Sequence, residues 1–260
     1  MDLREELSDP DRTTRLRCPP PQPMPGDLRP RLETAAHRMF RLSESLASVS
    51  ARVGIEIRVA SALLAREIEL AFPDPEYAHR KLRECLLRPA IEPALLSSWQ
   101  LLSLRGLSSA ALPRFLEMVV ASPVEPRSGV GYSENEGKMV VFESPKRLAV
   151  WDEKIRLVAA NPKFVLESAF FAYAQTALAH PFSDGNGRLA RSILHVGLAE
   201  PLGIKQPFLA LAPAFYANQR TISATLTHLS QTGEWAPYYD AALATIELAT
   251  QLTEQIATVR

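Results

Sequence analysis

The chain has 260 residues, enough for one large domain or two small ones, and its 47% of hydrophobic residues can build a sizeable core. The 29 basic and 29 acidic side chains cancel, so we expect neither direct nucleic-acid binding nor attraction to an anionic membrane. Few glycines, 11, and segments rich in Ala, Leu, Arg and Glu favour a mostly α-helical protein.

The cysteines and the hydropathy of the chain indicate the cellular compartment of the protein. Cys18 and Cys85 form no spaced cluster, which argues against a disulfide framework or a structural zinc site. No apolar run reaches the roughly 18 residues that a membrane span needs, and the N-terminus is charged rather than signal-like. We therefore expect a cytoplasmic protein without a membrane partner, and secretion into a host cell stays open as an alternative.

An extended, proline-rich arm is predicted over residues 1–30, because the prolines between positions 19 and 25 are incompatible with a helix. Terminal segments of this kind are more often poorly ordered leaders than partner-binding arms, so we expect a leader. Apolar periodicity then predicts an N-terminal helical extension over residues 31–100.

A catalytic core with a C-terminal helix is predicted over residues 101–260. Helical periodicity indicates further helices, which cover residues 110–120, 150–160, 164–179, 187–200, 209–229 and 237–259. The segment 164–179 is almost wholly apolar, so we expect a buried central helix there.

One run within the core favours a β-strand instead. Several prolines and glycines flank the four residues Met139, Val140, Val141 and Phe142, and this pattern predicts a β-hairpin. The alternative is that these apolar residues are simply buried, because short apolar runs are ambiguous.

The segment 180–191, His-Pro-Phe-Ser-Asp-Gly-Asn-Gly-Arg-Leu-Ala-Arg, has the composition of a phosphate site. Gly185 and Gly187 let backbone N–H groups approach an anion, and the N-terminus of the following helix directs its free N–H groups to the same place. Arg188 and Arg191 are three residues apart, so both can reach the oxygens of a polyphosphate. The segment therefore predicts a nucleotide-binding loop.

Two further residues of this segment suggest chemistry. Asp184 can hold Mg²⁺ together with the phosphates of a nucleotide, although an aspartate here can equally cap the following helix. His180 titrates near neutral pH and is the candidate general base, whereas an isolated histidine at such a helix end is usually structural.

This segment resembles the signature of the Fic domain, H-x-F-x-[D/E]-G-N-G-R-x-x-R, at every specified position. The resemblance implies a mostly α, Fic-type helical bundle with a small β-hairpin flap that aligns a target protein. It also implies transfer of AMP from ATP to a Ser, Thr or Tyr hydroxyl, with His180 as base and Asp184 as Mg²⁺ ligand. In this reading Asn186 joins Gly185, Gly187, Arg188 and Arg191 in binding the nucleotide, and Phe182 docks inward to fix the loop.

Inhibition is less well defined by the resemblance. Many Fic-like proteins carry an inhibitory helix, [S/T]-x-x-x-E-[G/N], whose Glu pairs with the second arginine of the signature, here Arg191. No intact copy of that pattern is present, and the candidates are Glu69, which we favour, and Glu254. The alternatives are inhibition by a separate antitoxin chain or no inhibition at all, and a homo-oligomer also stays open as an assembly.

Two other functions remain open at this point. A Fic-type transferase can use another nucleotide or phosphate-linked donor, as kinase-like members do. A non-catalytic module can use the same pocket to sense a nucleotide, although it would not need the complete set of His180, Asp184, Asn186 and both arginines.

Overall fold

A computed structural model describes residues 13–48, 99–120, 123–135, 138–142, 150–204 and 208–258 of the chain. The helices in these ranges are α1 (Arg29–Ser48), α2 (Leu112–Val120), α3 (Trp151–Ala159), α4 (Glu167–Ala179), α5 (Asn186–Ala199), α6 (Leu211–Ala217), α7 (Gln219–Thr232) and α8 (Ala236–Thr258). The strands are β1 (Thr13–Arg15), β2 (Tyr132–Asn135) and β3 (Lys138–Val141). The prediction of a mostly α-helical fold with a small β-hairpin is confirmed.

The centre of the fold is α4, of which every residue except Ala177 is buried. Its sequence is apolar on all sides, as expected for a helix that other elements surround. Helix α5 packs on α4 so closely that a Cβ atom on Gly197 would lie 2.7 Å from the Cβ of Ala169. A side chain at position 197 would therefore force the two helices apart.

The sheet has three strands in the order β1-β3-β2. Strands β2 and β3 form the predicted antiparallel hairpin, in which Tyr132 pairs with Val141. The third strand, β1, was not predicted, and it runs parallel to β3 with Thr14 opposite Val140. The proline-rich arm thus contributes a strand to the sheet of the core.

The rest of the arm packs against the helical body. Met24 is buried in the core, and the indole Nε1 of Trp235 donates a hydrogen bond to the carbonyl of Pro20 at 2.8 Å. The expectation of a poorly ordered leader is therefore wrong for residues 13–27, because their apolar side chains and carbonyl groups have partners in the body. Residues 1–12 lie outside the described part of the chain.

Helix α1, the described part of the N-terminal extension, packs along α8. Arg31 bonds Glu247 at 3.0 Å, and Arg38 bonds Glu254 at 2.8 Å. The remaining helices predicted for residues 49–98 lie outside the described residues. No helix in the described ranges is long and apolar enough to cross a membrane.

Candidate functional site

His180 terminates α4 in a left-handed conformation, with φ 44° and ψ 62°. Among the described residues it is the only non-glycine residue with a positive φ. Its ring Nδ1 lies 2.6 Å from the carbonyl oxygen of Ala177. A carbonyl can only accept a hydrogen bond, so Nδ1 carries the proton in the neutral ring. The lone pair then resides on Nε2, the state that a general base requires.

The surroundings of His180 keep its ring neutral. Burial lowers its pKa below the ordinary value, the hydrogen bond to Ala177 opposes this effect, and the charge of Arg127 adds to it. Phe142, the residue that follows β3, stacks on the ring with centroids 3.7 Å apart and planes inclined by 16°. At neutral pH the imidazole is therefore unprotonated and able to accept a proton.

Arg127 holds the backbone at the end of α4. Its Nε donates to the carbonyl of His180 at 2.9 Å, and its Nη2 donates to the carbonyl of Ala179 at 3.0 Å. Carbonyl groups at a helix C-terminus carry partial negative charge and lack helical partners, so a guanidinium stabilises them. We did not predict this role, because Arg127 stands out in the sequence only as an arginine in a Pro- and Gly-rich loop.

The loop after His180 is fixed by Phe182 and Asn186. The ring of Phe182 is buried against Trp151, as the prediction of inward docking requires. The side-chain oxygen of Asn186 accepts from the N–H of Phe182 at 2.9 Å, and its amide nitrogen donates to the carbonyl of Phe182 at 2.8 Å. This pairing gives Asn186 a positioning role. Its amide group has a second N–H donor, so the predicted nucleotide contact stays a prediction.

The N-terminus of α5 has groups of the kind that bind anions. Gly185 is its N-cap in a left-handed conformation with φ 76°, and no side chain caps the helix. Gly187 is exposed in the first turn, so its backbone is accessible. Arg188 and Arg191 follow on this helix, and the Cζ of Arg191 lies 5.9 Å from the centre of the Tyr216 ring. Free N–H groups at a helix end together with arginines match the requirements of a polyphosphate.

Asp184 is exposed at the entrance to this helix. Its Oδ1 accepts from the N–H of Gly185 at 2.5 Å, whereas the N-cap of α5 is Gly185 itself. The alternative that Asp184 caps the helix is therefore wrong. Within the described residues no group of three or more His, Cys, Asp or Glu side chains could hold a metal by itself. An exposed carboxylate beside a helix N-terminus fits Mg²⁺ that takes its other ligands from nucleotide phosphates and water.

A cavity of about 770 Å³ connects these elements. It is lined by His180, Gly187 and Arg191 from the signature segment and by Val140 and Phe142 from the hairpin side. The opposite wall comes from α6 and α7, through Phe215, Tyr216, Gln219, Ile222, Ser223, Leu226 and Thr227. The polar side chains of α7 were not singled out in the sequence, because their spacing is that of any amphipathic helix.

The hairpin residues and the two predicted inhibitory glutamates differ in their position relative to the cavity. Val140 and Phe142 contact the cavity because alternate residues of a strand share one face, whereas Val141 is buried and Met139 has the same orientation as Val141. Glu254 binds Arg38 of α1. Glu69 lies outside the described residues. The roles of these two glutamates in inhibition stay predictions.

Comparisons with known proteins agree with this geometry. A model of the Fic/DOC family matches residues 129–198, a segment that contains both the hairpin and the signature. The fold is similar to that of a Fic family protein from Desulfovibrio desulfuricans G20, with a TM-score of 0.67 and 16% identity over 92% of this chain and 77% of that chain. It is also similar to a Fic domain containing signaling protein from Bacteroides thetaiotaomicron VPI-5482, with a TM-score of 0.53 and 13% identity over 85% of this chain and 94% of that chain.

A comparison with curated protein sequences found no significant match. The family match supports a Fic-type transferase in general. The signature segment and the hairpin both lie within the part of the chain that the Fic/DOC family model matches, and the fold is similar to that of solved Fic proteins.

Proposed function

We propose that this chain is a protein adenylyltransferase, which transfers AMP from ATP to a Ser, Thr or Tyr hydroxyl of a target protein. One observation carries the proposal. The bond from Nδ1 of His180 to Ala177 leaves the basic Nε2 on a residue that lines the same cavity as Gly187 and Arg191. A base and a polyphosphate site that share one cavity are the two components that the reaction requires.

The residues of the chain suggest how the transfer proceeds. The target hydroxyl gives its proton to Nε2 of His180 while its oxygen forms a bond to the α-phosphorus of ATP. The bond from that phosphorus to the oxygen bridging toward the β-phosphate breaks, and pyrophosphate leaves with the electron pair. Arg188, Arg191 and the N–H groups at the start of α5 stabilise the negative charge of the phosphates.

Mg²⁺ would be held by Asp184 and by the phosphates of the nucleotide. When bound, it neutralises phosphate charge and orients the polyphosphate. Asn186 supports this arrangement indirectly, because its pairing with Phe182 fixes the loop that carries Asp184.

The side of the cavity that the hairpin lines is consistent with a protein as the acceptor of AMP. Val140 and Phe142 bring the hairpin to the cavity, and an extended peptide can bind to a sheet edge through its own backbone. This mode of binding recognises backbone more than side chains, so it accommodates any hydroxyl residue that reaches His180.

Labelled ATP tests the proposal against its two rivals. The protein is incubated with Mg²⁺, bacterial lysate and ATP that carries the label on either the α- or the γ-phosphate, and labelled proteins are identified by mass spectrometry. We expect protein labelling from α-labelled ATP alone, an added mass corresponding to AMP, and no labelling when EDTA replaces Mg²⁺. Label from the γ-position would indicate a kinase-like transferase. Tight ATP binding without any label on protein would indicate a nucleotide sensor.

A further inference from the structure

Strand β3 is paired along both of its edges. β2 occupies one edge, and β1, from the arm, occupies the other over Thr13–Arg15. The pairing with β1 extends to Leu16, whose N–H donates to the carbonyl of Val141 at 2.7 Å. An extended peptide that approaches the central strand therefore finds both of its edges already filled by this chain.

The edge of β3 that β1 occupies borders the cavity. Leu16 lines the cavity together with His180, Val140 and Phe142. Paired residues of adjacent strands present their side chains to the same face of a sheet, so Thr14 shares a face with Val140. The arm thus places an extended backbone, with a hydroxyl residue on the cavity side, along the strand that leads to Phe142 and the His180 ring.

The arm is held weakly at β1 and more firmly beyond Leu16. β1 has three residues, of which Arg15 is exposed, and so short a pairing gives a strand little stability of its own. Beyond Leu16 the arm has firm anchors: the N–H of Arg17 donates to Oγ of Ser230 at 2.8 Å, and the hydroxyl of Tyr239 donates to the carbonyl of Gln22 at 2.7 Å. The N-terminal part can therefore separate from β3 while the rest of the arm stays in place.

We propose that β1 is an exchangeable strand that covers the docking edge for the acceptor, and that it must leave β3 before an extended, hydroxyl-bearing segment of another protein can bind there. This inference rests on the proposed transfer to a protein hydroxyl, and it specifies how the acceptor gains access. The occupant that replaces β1 is an extended peptide, because the arm itself fills this edge through backbone hydrogen bonds.

A reversible crosslink tests the exchange. Thr13 and Met139 are paired across β1 and β3, and adjacent strands lie about 4.8 Å apart, within the range of a disulfide. Thr13→Cys and Met139→Cys are combined in a chain in which Cys18 and Cys85 are replaced by Ser. Both positions point away from the face of Val140. The same preparation is then assayed oxidised and after reduction, and each single-cysteine chain serves as a control for oxidation itself.

We expect the oxidised protein to label other proteins at least tenfold more slowly than the reduced protein, with ATP binding the same in both. Oxidation should not change the labelling by either single-cysteine chain. Equal labelling by the oxidised and reduced forms would overturn the inference, because the acceptor would then bind with β1 in place.

Hydrogen exchange provides a second measurement that does not depend on activity. In the unmodified chain we expect the amides of Thr14 and Leu16 to exchange at least tenfold faster than the amides in the middle of α4. If they exchange as slowly as α4, then β1 is a fixed strand and the inference is wrong, whatever the transfer activity. If the amides of Thr14 and Leu16 exchange fast but neither the oxidised nor the reduced protein labels other proteins, then β1 is still an exchangeable strand. The proposed transfer to a protein hydroxyl would be rejected.

Discussion

Arg127 and His180 are linked through the backbone, because the Nε of Arg127 donates to the His180 carbonyl at 2.9 Å. The same guanidinium lowers the pKa of the His180 ring, although burial contributes more. The arginine therefore stabilises the left-handed end of α4 and favours the neutral imidazole.

Replacement of Arg127 should change the pH dependence of transfer. In Arg127→Met the positive charge is lost, so the pKa of His180 rises toward the ordinary value of about 6.5. Neutral His180 is the active form, so activity at pH 6 should fall more than activity at pH 8. The measurement is kcat/KM against pH, with Arg114→Met on the exposed side of α2 as the control. A uniform loss of activity at all pH values would show that Arg127 acts only by positioning the backbone.

Asn186→Ala should reduce stability and activity together. The substitution leaves the N–H and carbonyl of Phe182 without their partner in a buried place, at a cost of about 1–3 kcal/mol in the free energy of unfolding. Denaturant unfolding and transfer of α-label are measured on one preparation. Unchanged stability with lost transfer would mean that the amide acts on the nucleotide directly.

Asp184→Ala should alter the Mg²⁺ requirement without altering stability. Because Asp184 is exposed and does not cap α5, we expect a change of about 0.5 kcal/mol or less in the free energy of unfolding. The Mg²⁺ concentration for half-maximal transfer should rise at least tenfold, which corresponds to about 1.4 kcal/mol of lost binding. Glu200→Ala, which removes an exposed carboxylate at the opposite end of α5, should leave this concentration unchanged.

His195 should make the fold sensitive to acid. Its Nε2 accepts from the N–H groups of Phe208 and Leu209 at 3.0 and 3.1 Å, and burial lowers its pKa to about 3. The unfolded chain binds a proton near pH 6.5 and the folded chain does not, so stability is complete above pH 6.5 and declines as pH falls toward 3.

The expected loss between pH 7 and pH 5 is about 2 kcal/mol from this group. His195→Gln keeps an acceptor but cannot titrate, so it should lack this part of the decline, whereas His228→Gln, at a half-exposed histidine, should retain it. Free energies of unfolding at pH 7 and pH 5 provide the comparison. Identical declines in the wild type and in His195→Gln would contradict the assignment.

The elements that the sequence predicted are those defined by local patterns. The apolar run from Phe164 to Ala179 is sufficient to predict a buried helix, and residues 180–191 carry their chemistry within one short segment. The hairpin was predicted from the β-branched residues around Val140 and their Pro- and Gly-rich flanks. Each of these patterns is set by neighbours within a few positions.

The features that were missed depend on contacts between distant parts of the chain. Arg127 donates a hydrogen bond to the carbonyl of His180, 53 positions along the chain. Trp235 donates one to the carbonyl of Pro20, 215 positions away. A three-residue strand such as β1 has too short a pattern to distinguish it from a loop. The pairing of the Asn186 amide with the backbone of Phe182 was also missed, because the sequence does not show which side chains bond to a loop backbone.

The most direct test of the role of His180 is the rate of AMP transfer by His180→Asn. Asparagine tolerates the left-handed conformation at the end of α4, so this substitution removes the base while it preserves the backbone. We predict a loss of about 10²–10⁴-fold in the transfer of α-label to protein, with the affinity for ATP changed by less than about threefold. Transfer by His180→Asn at the wild-type rate would contradict the account.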